Sequence, residues 1–339
     1  IAPYALNGSA MRVVITGGAG FLGKLLAQKI LSRGQLNDAH GVLREVSELV
    51  LVDMTAAQDE PWLADIRVSQ VVGDVADRSV LTRALTPATG SIFHLAAVVS
   101  GQAEADFDIG MRVNVDATRT LLELTRALPA PPKFVFTSSI AVFGGNLPAV
   151  LPDDQRLTPQ GSYGAQKAMG ELLVSDMSRR GMIDGRALRL PTITVRPGKP
   201  NKAASSFASG IIREPLAGVD AVCPVAPATR MWVQSPPRVI ENLLIGHDAP
   251  ATAFGFDRSI SVPGISVAVG DMVASLRRVA GDAVAGRVSW QLDPAIDRLV
   301  SSWPQAFAAD RGRALGMTAD DDFDDIVRAY MAATAASRQ

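Results

Sequence analysis

Cysteine, tyrosine and histidine are all scarce in this 339-residue chain: one Cys, three Tyr and three His. A lone Cys223 excludes an intramolecular disulfide and a Cys-rich zinc site, and fits a reducing compartment. His40, His94 and His247 are dispersed, a poor basis for a multi-His metal centre or a His-dependent triad, so no metal is expected. Tyr4 and Tyr330 stand near the ends, which leaves Tyr163 as the one phenol in the body of the chain. An excess of charge is lacking too. Lys plus Arg total 33 and Asp plus Glu 34, a net charge of -1. That balance gives no electrostatic reason to expect nucleic acid or an anionic membrane as a partner. No stretch approaches the roughly 18 uninterrupted apolar residues of a membrane span. Residues 1–10 have neither the basic nor the apolar region of a signal peptide, and read as a leader or expression remnant ahead of Met11. The expectation is a soluble, cytoplasmic protein.

What is present suffices for a large core: 47% of residues are hydrophobic and 20% charged. From Met11 to about Leu190, short apolar runs alternate with helix-length segments. The runs are 12–15, 48–52, 68–72, 92–95, 133–136 and 187–190; the segments are 21–32, 78–85, 106–128 and 162–180. Near-continuous apolar strands separated by helices predict an α/β fold, a doubly wound parallel sheet covered on both faces. After Leu190 prolines crowd residues 191–237, which predicts irregular loops with short elements. Helices are expected again at 270–280 and 322–335. The expected division is therefore a sheet domain over 11–190 and a smaller lobe, mainly substrate-binding, over 191–339, with a cleft between them.

Gly17, Gly20 and Gly23 lie in TGGAGFLG, between the first strand and the first helix. Glycine permits a tight turn and lets backbone N–H groups approach a pyrophosphate at a helix N-terminus, with Phe21 and Leu22 in the same turn. Asp53 ends the second long strand, where a carboxylate accepts from ribose hydroxyls and repels a 2′-phosphate. It lies 30 residues beyond Gly23 (53 − 23), and the extra length falls in 36–48, read as an insertion or a long connection. Met54, not an arginine, follows it, so the cofactor expected is NAD and not NADP.

Tyr163 and Lys167, at i and i+4 on one helix, share a face. A neighbouring ammonium favours a phenolate and brings tyrosine toward use as a base. Ser138 and Ser139 follow an apolar strand, at the end of a parallel sheet where ligand crevices form. Either hydroxyl has the chemistry to hold a substrate oxygen. His94, inside an apolar strand, reads as a satisfied core histidine.

Taken in order, TGGAGFLG (16–23), GDVAD (73–77), FHLAAV (93–98), SSIAVFG (138–144) and YGAQK (163–167) resemble the extended branch of the short-chain dehydrogenase/reductase superfamily. The resemblance implies a Rossmann-type sheet and a Ser-Tyr-Lys mechanism, and it places the catalytic serine on Ser139. Tyrosine usually stands where this chain has Phe143. By the same resemblance Asp74 and Val75 contact the adenine edge. Ala96 and Ala97 line the cofactor, Pro191 and Thr192 border the nicotinamide, and Asn114 is the family's helix asparagine. Segments 97–110, 188–218 and 323–331 are similar to those of family members that oxidise D-erythronate, a four-carbon aldonic acid. That implies NAD-dependent oxidation of a secondary hydroxyl on a small sugar acid. The competing readings are a nucleotide-sugar epimerase that keeps its NAD and a non-catalytic dinucleotide-binding protein.

A small acid needs charge-assisted bonds to fix it. The basic candidates are Arg196, Lys199, Lys202, Arg213 and Arg230, and Arg230 is favoured because Trp232 nearby offers to bury its stem. Ser100 is expected to meet a substrate hydroxyl from the other wall. Apolar positions along 115–128 and 165–177, with the family's habit of pairing the corresponding helices, predict a homodimer.

Overall fold

The computed structural model describes residues 10–198 and 203–336. Its strands are β1 (Ala10–Thr16), β2 (Gln35–Asn37), β3 (Leu43–Asp53), β4 (Val68–Val72), β5 (Thr89–His94), β6 (Lys133–Ser139), β7 (Asp184–Leu190), β8 (Thr192–Ile193), β9 (Ala221–Cys223), β10 (Arg230–Gln234), β11 (Ser259–Ser261), β12 (Ile265–Ala268) and β13 (Val288–Trp290). The helices of the first half are α1 (Phe21–Arg33), α2 (Arg78–Ala84), α3 (Ser100–Ala105), α4 (Phe107–Gly110), α5 (Ala117–Thr125) and α6 (Ser162–Arg179). Those of the second are α7 (Ser206–Leu216), α8 (Pro236–Asp248), α9 (Val269–Ala280), α10 (Asp282–Ala285), α11 (Pro294–Ser301), α12 (Asp310–Ala314) and α13 (Phe323–Ala336).

The main sheet runs β11-β7-β6-β5-β1-β3, with β4 and β2 both paired to β3. Every pairing in it is parallel except β2 with β3. Its central strands are buried on both faces, which explains their unbroken apolar sequence: Val13, Val14 and Ile15 are all fully covered. The order reverses at β1, flanked by β3 and β5. That switch point is where an open α/β sheet leaves a crevice beyond its strand ends.

The structure revises several local expectations. The extra length over 36–48 is a long connection that forms a hairpin. β2 turns back on the start of β3 as an antiparallel hairpin, closed by Asp38, whose Oδ1 accepts from the His40 and Val42 N–H groups at 2.9 Å each. Ala10, placed in the leader from sequence, pairs with Glu45 in the sheet, and residues 1–9 lie outside the described residues. The single helix expected over 106–128 is broken by one π-helical stretch, Met111–Asp116. Within the breaker-rich 191–237, α7 forms a proper 11-residue helix because Pro215 falls in its last turn, where it ends the helix instead of interrupting it. Lys199 and Lys202 lie outside the described residues.

A second core packs α7, α9, α13, β10 and β12 around Ile211, Ile212, Met272, Leu276 and Val327. The chain crosses between cores more than once. α8 and β11 return to the main sheet, burying Val239, Leu243, Leu244 and Ile260 against it.

Candidate active site

The crevice at the switch point is a cavity of about 700 Å3. Its floor is the turn after β1. Gly17 and Gly18 N–H groups bond to the Val52 carbonyl at 2.8 and 3.2 Å, tying that turn to the end of β3. Gly17 has φ +73°, and a Cβ there would stand 2.8 Å from the Ala96 backbone nitrogen, so both the turn and the close approach of the next strand require glycine. Gly17, Gly20, Phe21, Leu22 and Gly23 all line the cavity. Asp53 lines it from β3, accepting from Ala19 N–H at 3.0 Å and Met54 N–H at 2.8 Å. Asp74 and Val75 border one side and Ala96 and Ala97 the other. Arg112 reaches across from the π-helical stretch to bond Asp74 at 2.5 Å, a wall residue that the sequence motifs did not mark.

These residues fit a dinucleotide: a glycine cradle that a side chain would fill, a helix start behind it, and a fixed carboxylate at the next strand end. The fit is residue by residue. Pro191 and Thr192 do not line the cavity; the next residue, Ile193, does. Asn114 is buried, and its side chain bridges Val98 N–H and C=O at 2.8 and 3.0 Å and Gln166 Oε1 at 2.8 Å. It braces the π-helical stretch against α6 and the loop after β5.

Beside the cavity, joined to it through Thr137 and not themselves lining it, stand the candidate catalytic groups. β6 ends on Ser138 and Ser139, whose side chains point to opposite faces as strand geometry dictates. Ser138 Oγ donates to buried Glu171 at 2.5 Å, and Arg189 grips the same carboxylate at 2.7 Å. Ser139 faces the other way, toward the Tyr163 phenol, whose proton affinity its hydroxyl lowers. Its oxygen also accepts from Ala141 N–H at 3.1 Å. Gly164 makes this meeting possible: a Cβ there would lie 2.0 Å from the Ala141 carbonyl, so only glycine lets α6 come this close to the end of β6. One turn on, Lys167 Nζ donates to the Thr137 carbonyl at 2.8 Å and sits 5.6 Å from the Tyr163 ring centroid. Ser139, Tyr163 and Lys167 are thus brought together. Thr137 joins them to the cavity, which it lines.

Burial sets the proton affinities. It pushes the Tyr163 phenol up to about 12, against the pull of the Arg196 charge and the Ser139 hydrogen bond. It pulls Lys167 down to about 7, with Glu171 one turn further along α6 opposing it. His94 is driven down to about 3, first by burial and then by Lys167. The Thr118 hydroxyl gives its proton to the Asn114 carbonyl at 2.8 Å, so it accepts from His94 Nε2–H at 2.8 Å. Nδ1 then accepts from Thr16 at 2.6 Å. The neutral ring is a fully bonded core histidine, as its sequence setting suggested.

Two substrate candidates fall elsewhere. Arg230 opens β10 exposed, with its guanidinium donating to Ser266 Oγ at 3.1 Å and Ser266 O at 2.9 Å, and it does not line the cavity. Trp232 is buried against Phe307, away from it. Ser100 starts α3, but the cavity takes Gln102 from that helix instead. Phe143 stacks under Arg189, 5.0 Å from guanidinium carbon to ring centre, so the departure from tyrosine affects packing beside the Glu171–Arg189 pair.

A family model described as the NAD dependent epimerase/dehydratase family matches residues 13–232. The chain belongs to that family. Within it, the chain is 56% identical to a D-erythronate dehydrogenase of Cupriavidus necator, over 95% of this chain and 98% of that protein. It is 41% identical to a D-erythronate dehydrogenase of Haemophilus influenzae, over 95% and 99% of the two chains. Among solved structures, one described as a nucleoside-diphosphate-sugar epimerase from Agrobacterium tumefaciens superposes with a TM-score of 0.86 at 40% identity, covering 94% of this chain and 93% of that one. The doubly wound fold expected from sequence is the fold of this epimerase/dehydratase family member. Among the described residues no helix is long and apolar enough to cross a membrane.

Proposed function

We propose that this chain is an NAD-dependent dehydrogenase that oxidises a secondary hydroxyl of a small sugar acid, D-erythronate to 2-keto-D-erythronate. The observation that carries the reading is near-full-length similarity to two D-erythronate dehydrogenases. The Ser139–Tyr163–Lys167 cluster beside a dinucleotide-shaped cavity supports it. Gly17, Gly20 and Gly23 would hold the pyrophosphate and Asp53 the adenosine ribose. When bound, NAD supplies a nicotinamide that accepts the hydride from the substrate carbon.

The chain's own part is proton transfer and orientation. Tyr163 Oη takes the hydroxyl proton, and Ser139 Oγ bonds the same substrate oxygen. Lys167, fixed by Thr137, steadies the charge beside the ring. Burial disfavours the phenolate that this role needs, and positive charge beside the ring, from Lys167 Nζ 5.6 Å from the ring centroid, favours it. The reading includes a cytoplasmic homodimer formed through α5 and α6, with Met169 and Leu172 of α6 exposed.

The test is the appearance of NADH absorbance when purified protein, NAD and D-erythronate are mixed. A nucleotide-sugar epimerase, the reading that the Agrobacterium structure's description would favour, releases no NADH and interconverts sugar nucleotides instead. The purified protein should form NADH with the acid and leave sugar nucleotides unchanged.

A further inference from the structure

A 2-hydroxy acid carries its carboxylate on the carbon next to the one oxidised. Whatever cation receives that carboxylate must therefore stand within a few ångströms of the group that takes the hydroxyl proton. Arg230 fails this condition, since it does not line the cavity. Arg196 lines the cavity beside Ile193 and Pro197 and shares it with Thr137, whose carbonyl holds Lys167 at 2.8 Å.

The backbone around Arg196 is stapled to α7 and to β10. Thr194 Oγ1 donates to the Ala208 carbonyl at 3.1 Å, and Thr194 N–H donates to the Gln234 carbonyl at 3.0 Å. Arg196 N–H donates to Ser209 Oγ at 3.1 Å, while its carbonyl accepts from Arg213 Nη1 at 2.9 Å. Arg213 is itself buried and held by Glu214 at 2.5 Å, so a fixed cation supports the segment from behind. A half-buried guanidinium on a rigid backbone matches a carboxylate: planar, forked, and set before the ligand arrives.

We propose that Arg196 is the carboxylate anchor of the substrate site, fixed by Ser209 and Arg213 so that the neighbouring hydroxyl falls on Tyr163 and Ser139. This rests on the dehydrogenase reading above and deepens it. The site selects 2-hydroxy acids over neutral polyols of the same size through one guanidinium.

Two measurements on the purified full-length chain test this. Kinetics compare D-erythronate with erythritol, its uncharged counterpart, in wild type, Arg196→Gln, Arg196→Lys and Arg230→Gln. Calorimetry follows D-erythronate binding to each protein preloaded with NADH, and NADH affinity reports that the fold is intact. Arg196→Gln should lower kcat/KM for the acid by about thirtyfold or more, the scale of truncating one partner of a desolvated charge pair. Its use of erythritol should fall far less than its use of the acid, and its NADH affinity should stay close to wild type. Arg196→Lys should recover part of the loss, and Arg230→Gln should match wild type. Equal losses on acid and polyol, or undiminished acid binding by Arg196→Gln, would overturn the anchor. The two proposals fail separately. If wild type binds D-erythronate through Arg196 without producing NADH, the anchor stands and the dehydrogenase reading falls.

Discussion

Two hydroxyl-centred clusters sit on opposite sides of this fold, and the more familiar-looking one is the inert one. Ser91, His247 and Asp248 make a serine–histidine–aspartate arrangement. Ser91 Oγ bonds His247 Nε2, and Nδ1 bonds Asp248 Oδ1 at 2.8 Å. Ser139, Tyr163 and Lys167 make a less regular group. The first cluster is sealed: Ser91 and His247 have no exposed surface, and Phe93 stacks on the imidazole with ring centres 5.0 Å apart. Its neighbours consume what remains, with Lys133 Nζ at 2.7 Å from the His247 carbonyl and Arg186 bonded to the same oxygen. The second cluster keeps a half-buried phenol next to a cavity wall. Residue types in the right order are therefore not a site. Access and uncommitted bonding capacity decide.

The comparison breaks first at Tyr163. Tyr163→Phe should reduce turnover by about 10²- to 10⁴-fold, the range of a lost acid–base group, while NADH still binds. Near-normal turnover by this variant, measured as NADH formation, would remove the phenol from the chemistry.

The next effect belongs to the sealed histidines and concerns stability. Burial first, then Arg186 and Lys133, hold His247 down to about 4, although Asp248 pulls the other way. His94 lies lower still, at about 3. Both values fall below the unfolded value near 6.5. The unfolded chain therefore binds more protons over the window from about 6.5 down to about 4, and stability is lost as pH falls through it. At pH 5 the loss should be about 2 kcal/mol for each histidine relative to pH 8, read from denaturant unfolding. His247→Gln should unfold with a shallower pH dependence. An unchanged slope would mean that the ring is not held neutral.

Ser91→Ala and Ser139→Ala then separate the clusters directly. The first strands a buried imidazole nitrogen and should lower stability by about 1–3 kcal/mol with kcat unchanged. The second should lower kcat and leave the unfolding midpoint close to wild type. Interchanged signatures would invert the assignment.

What the sequence made legible, and what it hid, follows from the range of the interactions. The glycine turn, Asp53, Asp74 and Val75 could be placed because each depends on a strand end and the few residues after it. Tyr163 and Lys167 needed only the helical period. Ser138 and Ser139 were not separable by pattern, since adjacent strand residues alternate faces; the family's spacing picked Ser139, and the structure puts Ser138 on Glu171. The choice among arginines turns on long-range contacts. Arg230 was judged by its neighbour Trp232, but strand pairing with β12 sends its fork to Ser266. Arg196 is presented to the cavity by contacts with Ala208, Ser209 and Arg213 that no local pattern announces.

The smallest expected effect sharpens the comparison at the other end of the cavity, between two aspartates. Asp248 spends its oxygens on His247, on the Asn37 N–H at 3.2 Å and on Arg33. Asp53 is pinned by two backbone N–H groups yet still lines the cavity, and a carboxylate with two oxygens retains lone pairs for a ligand. Asp53→Asn keeps one acceptor oxygen and removes the charge. It should weaken NADH binding by about 1 kcal/mol, roughly fivefold, as a charge-assisted bond becomes a neutral one. The same change removes the repulsion facing a 2′-phosphate, so NADPH affinity should rise while NADH affinity falls. Fluorescence titration of both cofactors reads the ratio. If Asp53→Asn left the preference between them unmoved, Asp53 would be a structural carboxylate like Asp248, and the discrimination would have to come from Met54 or from Arg112 across the cavity.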